Sequence, residues 1–217
     1  MGYLRQLKKS VVFLFCFIFN IRPVMNASEF NRKKENEISM QNLYNSCLLQ
    51  NTLEFNPFQK ALNGIKIYNP MNSIIAICDF TLPSTVKRFF LIDLKNKKLL
   101  ANSYVAHGKN SGELIASNFS NDPESYKSSK GFFRIGERIN SPKHGSAILL
   151  EGLEKGVNDN ARKREIIIHG ATYVSDKFIR QTGRCGRSQG CPALPKDVME
   201  LIAKIPMKGA LLYIHTN

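Results

Sequence analysis

Seven short apolar runs, spaced along the second two thirds of the chain and cut apart by Gly, Pro, Asn and Ser, constrain this sequence most. They are Ile74 to Phe80, Phe89 to Leu94, Lys98 to Ala106, Phe132 to Ile139, Ala147 to Leu150, Glu165 to Ile168 and Leu211 to Ile214. Runs of this length, rich in β-branched and aromatic residues and bounded by turn formers, read as strands. The chain is therefore expected to be mainly β, a sandwich or barrel with a few short helices at its edge. Met40 to Leu53 and Pro57 to Leu62 have helical spacing, as does Lys196 to Lys204. Lys95-Asn96-Lys97 reads as a hairpin turn. Gly108 to Lys130 is a long Ser- and Asn-rich loop of the kind that forms a lid or a substrate-binding wall.

The first residues follow a different logic. Arg5, Lys8 and Lys9 precede the apolar run Val11 to Phe19, and a polar stretch follows to Ala27. That order reads as a secretory signal peptide spanning 1–27, and the run is well short of the roughly 20 residues a membrane span needs. The chain is thus expected to be exported to the periplasm or cell envelope, with no integral membrane span after cleavage. From Ser28 to Glu37 the sequence is polar without apolar periodicity, suggesting a flexible leader. A leader and N-terminal helical segment (28–56) then precede one domain (57–217).

The formal charge is +14, and Arg5, Lys8, Lys9 and Arg22 supply four of it with no acid before Ala27, leaving about +10 on the mature part. Such a surface favours polyanions. For an exported chain without a nucleic-acid-binding signature, that points to an anionic cell-wall or envelope polymer and not to nucleic acid. Of five cysteines, Cys47, Cys78, Cys185 and Cys191 lie after the leader. A Cys47–Cys78 bridge is open to a chain in an oxidising compartment.

Chemistry concentrates in two stretches. Ile166-Ile167-Ile168 ends in His169-Gly170-Ala171, and after a helical segment comes Gly183-Arg184-Cys185-Gly186-Arg187-Ser188-Gln189-Gly190-Cys191-Pro192-Ala193. A buried strand that delivers a histidine, and a glycine-rich turn that delivers a cysteine, bring base and nucleophile face to face. Cys191 is the candidate nucleophile, since a thiol near pKa 8.5 needs a neighbouring imidazole, here His169, to take its proton. Gly190 permits a tight turn that aims backbone amides at an oxyanion, while Ser188 either orients the histidine or caps the turn. Arg184 and Arg187 add positive field and offer a carboxylate contact. His107, ending another run, is a further candidate for the pocket, whereas His144 and His215 read as structural. A zinc site of His169, Cys185 and Cys191 is disfavoured, because the spacing lacks a close Cys-x-x-Cys pair.

At these residues the chain resembles the murein L,D-transpeptidase catalytic-domain family, within the L,D-transpeptidase superfamily. The resemblance is carried by the His169-Gly170-Ala171 and Gly183 to Ala193 stretches, together with Cys78-Asp79-Phe80-x-x-Pro83-Ser84, Val105 to Gly112, Phe119-Ser120-Asn121 and Gly152-Leu153-Glu154-x-Gly156-Val157-Asn158-Asp159. Many L,D-transpeptidases carry a second histidine just before the Gly-Cys pair and an Asn or Arg two residues after the cysteine. Gln189 and Ala193 stand there in this chain.

The resemblance implies an acyl transfer on peptidoglycan stem peptides, with no metal and no organic cofactor. Cys191 attacks the carbonyl before the terminal D-alanine of a stem tetrapeptide, and the thioester passes to an amine, giving a 3-3 cross-link, or to water. The competing expectation is a non-catalytic wall-binding protein that keeps the fold. A papain-like protease is disfavoured, because there the cysteine precedes the histidine.

Overall fold

The computed structural model describes residues 27–217. The elements run α1 (Ala27–Ser46), α2 (Phe55–Tyr68), β1 (Ile74–Asp79), β2 (Phe89–Asp93), β3 (Lys98–Ser103), β4 (Gly131–Ser141), β5 (Gly145–Gly152), β6 (Ile167–Gly170), α3 (Asp176–Thr182), β7 (Ala193–Leu194), α4 (Lys196–Ile202) and β8 (Leu211–His215). The expected signal peptide, residues 1–27, lies outside the described residues except for Ala27. Among those described, no helix is long and apolar enough to cross a membrane.

All eight strands join one sheet in the order β3-β2-β1-β8-β4-β5-β6-β7. β1 with β8 and β6 with β7 are parallel pairs, and the others are antiparallel. The two edges also meet. Ala106, just beyond β3, exchanges backbone bonds with Ala193 of β7, so the sheet nearly closes on itself. Closure of this kind leaves few unpaired edge groups, and it makes the expected mainly β barrel-like architecture concrete.

Alternation along the central strands builds two cores. Ala76, Cys78, Phe89, Leu91, Leu212 and Ile214 point into one, while Ile75, Ile77, Phe90, Ile92, Leu211 and Tyr213 point into the other, beneath α2 and the end of α1. Strands buried on both faces read as unbroken apolar runs, which is why β1, β2 and β8 stand out in the sequence. Helix α2 presses close to the sheet at Gly64, where a Cβ would come within 2.0 Å of the Phe132 ring.

The same two-faced sheet answers the disulfide question. Cys47 packs in the helix-covered core and Cys78 in the opposite one, and Cys47, Cys78, Cys185 and Cys191 are all free thiols. The polar stretch expected as a flexible leader is instead part of α1. Its Glu, Lys, Arg and Gln residues are good helix formers, although residues 31–39 are exposed throughout.

Candidate active site

The parallel pairing of β6 with β7 sets His169 opposite Ala193. Cys191 lies two residues upstream of Ala193, so strand register alone carries the cysteine toward the histidine. Both line a cleft of about 1100 Å³, with Ser188, Gln189, Arg187 and Tyr173 from the same stretch of chain. Glu124 and Tyr126 of the long loop, Lys143 and His144 of the β4–β5 connection, and Arg162 to Ile167 complete the walls.

The turn before Cys191 is held from within. Ser188 Oγ donates to the Cys191 carbonyl at 2.6 Å and accepts from the Gly190 amide at 3.0 Å. Ser188 therefore caps the turn, and the Gly190 amide is engaged by that hydroxyl rather than aimed at the cleft. Gly190 has φ +126°, and a Cβ there would stand 2.8 Å from the Lys127 carbonyl. Only glycine suits both demands.

His169 is 1% exposed, and its Nδ1 lies 3.2 Å from the Gly170 carbonyl. A carbonyl can only accept, so Nδ1 carries the proton and Nε2 keeps a lone pair for a proton arriving from elsewhere. Burial, opposed in part by that carbonyl and reinforced by His144 and Lys143, pushes the imidazole down to about 4, so it is neutral at pH 7. The His144 ring stacks on it with centroids 3.8 Å apart and planes 29° apart.

The Cys191 thiol is partly exposed, and its Sγ points to the Glu165 carbonyl at 3.8 Å. Burial raises its pKa, while the Ile167 N–H, Arg164 and Lys143 act against that rise. Thiol and imidazole are thus both neutral at rest, and both border the same cleft.

The structure gathers some of the expected residues here and sets others aside. Cys191, His169, Ser188 and Arg187 reach the cleft, whereas Gly190, Arg184 and His107 are not among its lining residues. Arg184 and Arg187 share Glu113 between them, Arg184 Nε standing 3.0 Å from one carboxylate oxygen. His107 is buried, with Nδ1 accepting from Arg88 at 2.7 Å and Nε2 donating to the Gly112 carbonyl at 3.0 Å. It anchors the start of the long loop from behind. Cys185 is fully buried and donates to the Ser84 carbonyl at 3.1 Å. Among the described residues no group of three or more His, Cys, Asp or Glu could hold a metal ion.

Two side chains that the sequence did not mark as site residues, Arg164 and His144, also line the cleft. Arg164 donates to the Ser120 carbonyl at 2.7 Å, the Lys127 carbonyl at 2.6 Å, and the hydroxyls of Ser129 and Ser125. One guanidinium thereby gathers four points of the loop into the wall beside Cys191. His144, which reads as structural in the sequence, lies against His169. Neither belongs to a recognisable spacing pattern. The one available signal is position, Arg164 just before the apolar run and His144 in a Pro-Lys-His-Gly turn.

Backbone strain also collects around the cleft. Glu124 (φ 59°), Tyr126 (φ 53°) and Glu165 (φ 55°) all adopt the left-handed conformation that non-glycine residues rarely take. Such strain persists where surrounding structure over-determines it, commonly at functional sites.

A family model described as the L,D-transpeptidase catalytic domain matches residues 49–215, well over half of the chain. The chain belongs to the L,D-transpeptidase catalytic-domain family. Solved structures similar to it include an L,D-transpeptidase from Mycobacterium smegmatis, 12% identical with a TM-score of 0.41, the match covering 67% of this chain and 59% of that one. Another is the helical cell shape determining protein Pgp2 (K307A mutant) from Campylobacter jejuni, 16% identical with a TM-score of 0.46, covering 67% and 48%. L,D-transpeptidase 1 from Mycobacterium tuberculosis is 11% identical with a TM-score of 0.39, covering 67% and 62%. The chain spans about half to three fifths of the length of these structures. No curated protein sequence matches it. The L,D-transpeptidase family model begins at residue 49, beyond α1, and takes in every strand of the sheet.

Proposed function

We propose that this L,D-transpeptidase-family protein is an exported enzyme that remodels peptidoglycan through a Cys191 thioester. The observation that carries the reading is the convergence of Cys191 and His169 on one cleft, with Nδ1 of the imidazole committed to the Gly170 carbonyl and Nε2 left as acceptor. The thiol proton passes to Nε2 as sulfur attacks the stem-tetrapeptide carbonyl before D-alanine. The imidazolium returns that proton to the departing amine, D-alanine leaves, and a thioester remains. An amine from a second stem then forms a 3-3 cross-link, or water releases a tripeptide, with Cys191 restored as a thiol.

Lys143, Arg162, Lys163 and Arg187 on the cleft wall, against Glu124 and Glu165, favour donors bearing free carboxylates. Export rests on the signal-like order of residues 1–27. Incubated with stem tetrapeptide, the mature protein should release D-alanine. Cys191→Ala and His169→Ala should each cut that release at least about a thousandfold while still binding sacculi. A folded Cys191→Ala protein that releases D-alanine at the parental rate would refute the mechanism. Sacculus binding with no turnover by the parent would favour the wall-binding reading.

A further inference from the structure

His144 sits at the tip of the β4–β5 hairpin, where Ser141 pairs with Gly145 and the chain turns through Pro142, Lys143 and His144. Gly145 has φ +67° with open space around its would-be Cβ, so glycine is present for the turn and not for packing. Two residues beyond Gly145, Ala147 pairs with His169. The hairpin therefore folds its tip back over the very residue its strand flanks.

The outcome is an imidazole face laid on an imidazole face at 3.8 Å, in a cleft-lining position. His169 is then constrained on two sides. Its Nδ1 edge is held by the Gly170 carbonyl and one ring face by His144, which fixes the side-chain torsion that would otherwise exchange the two nitrogens.

We propose that His144 is a positioning residue whose ring acts as a π platform for His169, holding Nε2 toward the cleft and stabilising the imidazolium formed when Cys191 gives up its proton. The inference rests on the reading of Cys191 and His169 as nucleophile and base. In the step it supports, the S–H bond breaks, the proton joins Nε2, and the sulfur electron pair forms the bond to the carbonyl carbon. The positive charge on His169 lasts only until the leaving amine takes the proton. A neutral aromatic face beside a transient cation is favourable in the way cation–π contacts are. A protonated His144 would oppose charge on His169, and burial and the adjacent Lys143 both lower the pKa of His144, so the platform acts with His144 as the neutral partner. His144 matters through its face, so an aromatic ring without nitrogen should replace it.

The test compares His144→Ala and His144→Phe by D-alanine release and by ¹⁵N NMR of the His169 ring. With alanine, kcat should fall about five- to thirtyfold at a KM within about twofold, and the His169 nitrogens should show mixed tautomers. Phenylalanine should restore most of kcat and the single Nδ1–H tautomer. The proposal is overturned if alanine leaves kcat or the tautomer as in the parent, or if phenylalanine restores neither. The NMR arm needs no substrate, so it decides the platform even if Cys191→Ala shows the catalytic reading itself to be mistaken.

Discussion

His169 and His107 are two buried imidazoles held neutral in opposite tautomers, and each tautomer is fixed by a partner that has no alternative. The Gly170 carbonyl can only accept, so it takes Nδ1–H of His169; Arg88 can only donate, so it takes the lone pair of His107 Nδ1. Burial drives both down to about 4, with Arg88 adding to the shift at His107. In the unfolded chain each would titrate near 6.5. Between about 4 and 6.5 the unfolded state then binds more protons than the folded one, so stability is full above 6.5 and is lost as pH falls toward 4. Each imidazole should contribute on the order of 2–3 kcal/mol to that loss. Urea unfolding across this window should show the decline, and His107→Gln should flatten part of it. A flat stability profile from pH 7 to 4 would contradict the buried neutral assignments. The acid limb of kcat/KM should likewise lie well below 6.5.

Arg164 is the second residue-scale determinant. Lysine keeps the charge but not the planar fork, so Arg164→Lys cannot hold the Ser120 and Lys127 carbonyls and the two serine hydroxyls together. Losing one charged hydrogen bond costs about 1.5–3 kcal/mol. KM for stem tetrapeptide should rise about tenfold with a smaller change in kcat, measured by initial rates. Cys191 and His169 were legible as candidates because one follows a glycine turn and the other ends a strand, and the fold brings both to one cleft. Arg164, Lys143 and His144 were not legible, since their importance comes from a loop and a hairpin folding over the site from 20 to 50 residues away.

At the scale of elements, the strands buried on both faces declared themselves as apolar runs within a residue or two of their observed ends, and the Lys95-Asn96-Lys97 turn joins two antiparallel strands with Lys97 at φ 53°. Strand β7 did not declare itself. Two residues, Ala193 and Leu194, have no periodicity to read, and their pairing depends on β6 and Ala106 arriving from either side. Yet this short element sets where Cys191 stands. The turn before it should be intolerant of change. Gly190→Ala forces a Cβ against the Lys127 carbonyl at a left-handed φ and should cost about 1–3 kcal/mol in urea unfolding, at an unchanged denaturant slope. Helix α1 illustrates the reverse error. Polar composition suggested no fixed structure, but helix propensity does not require an apolar face, and burial begins only near Tyr44.

For the whole molecule, the near-closed sheet and its two cores account for stability. The strongly basic balance predicts retention on anionic wall polymer that weakens steeply with added salt. The central claim is that Cys191 carries the acyl group between donor and acceptor. Intact-mass spectrometry of protein quenched during turnover of stem tetrapeptide tests it most directly. The parent should gain the mass of one tripeptidyl acyl group, mapped by digestion to the peptide holding Cys191 and absent from Cys191→Ala. Steady D-alanine release with no adduct on that peptide, or an adduct that persists in Cys191→Ala, would contradict it.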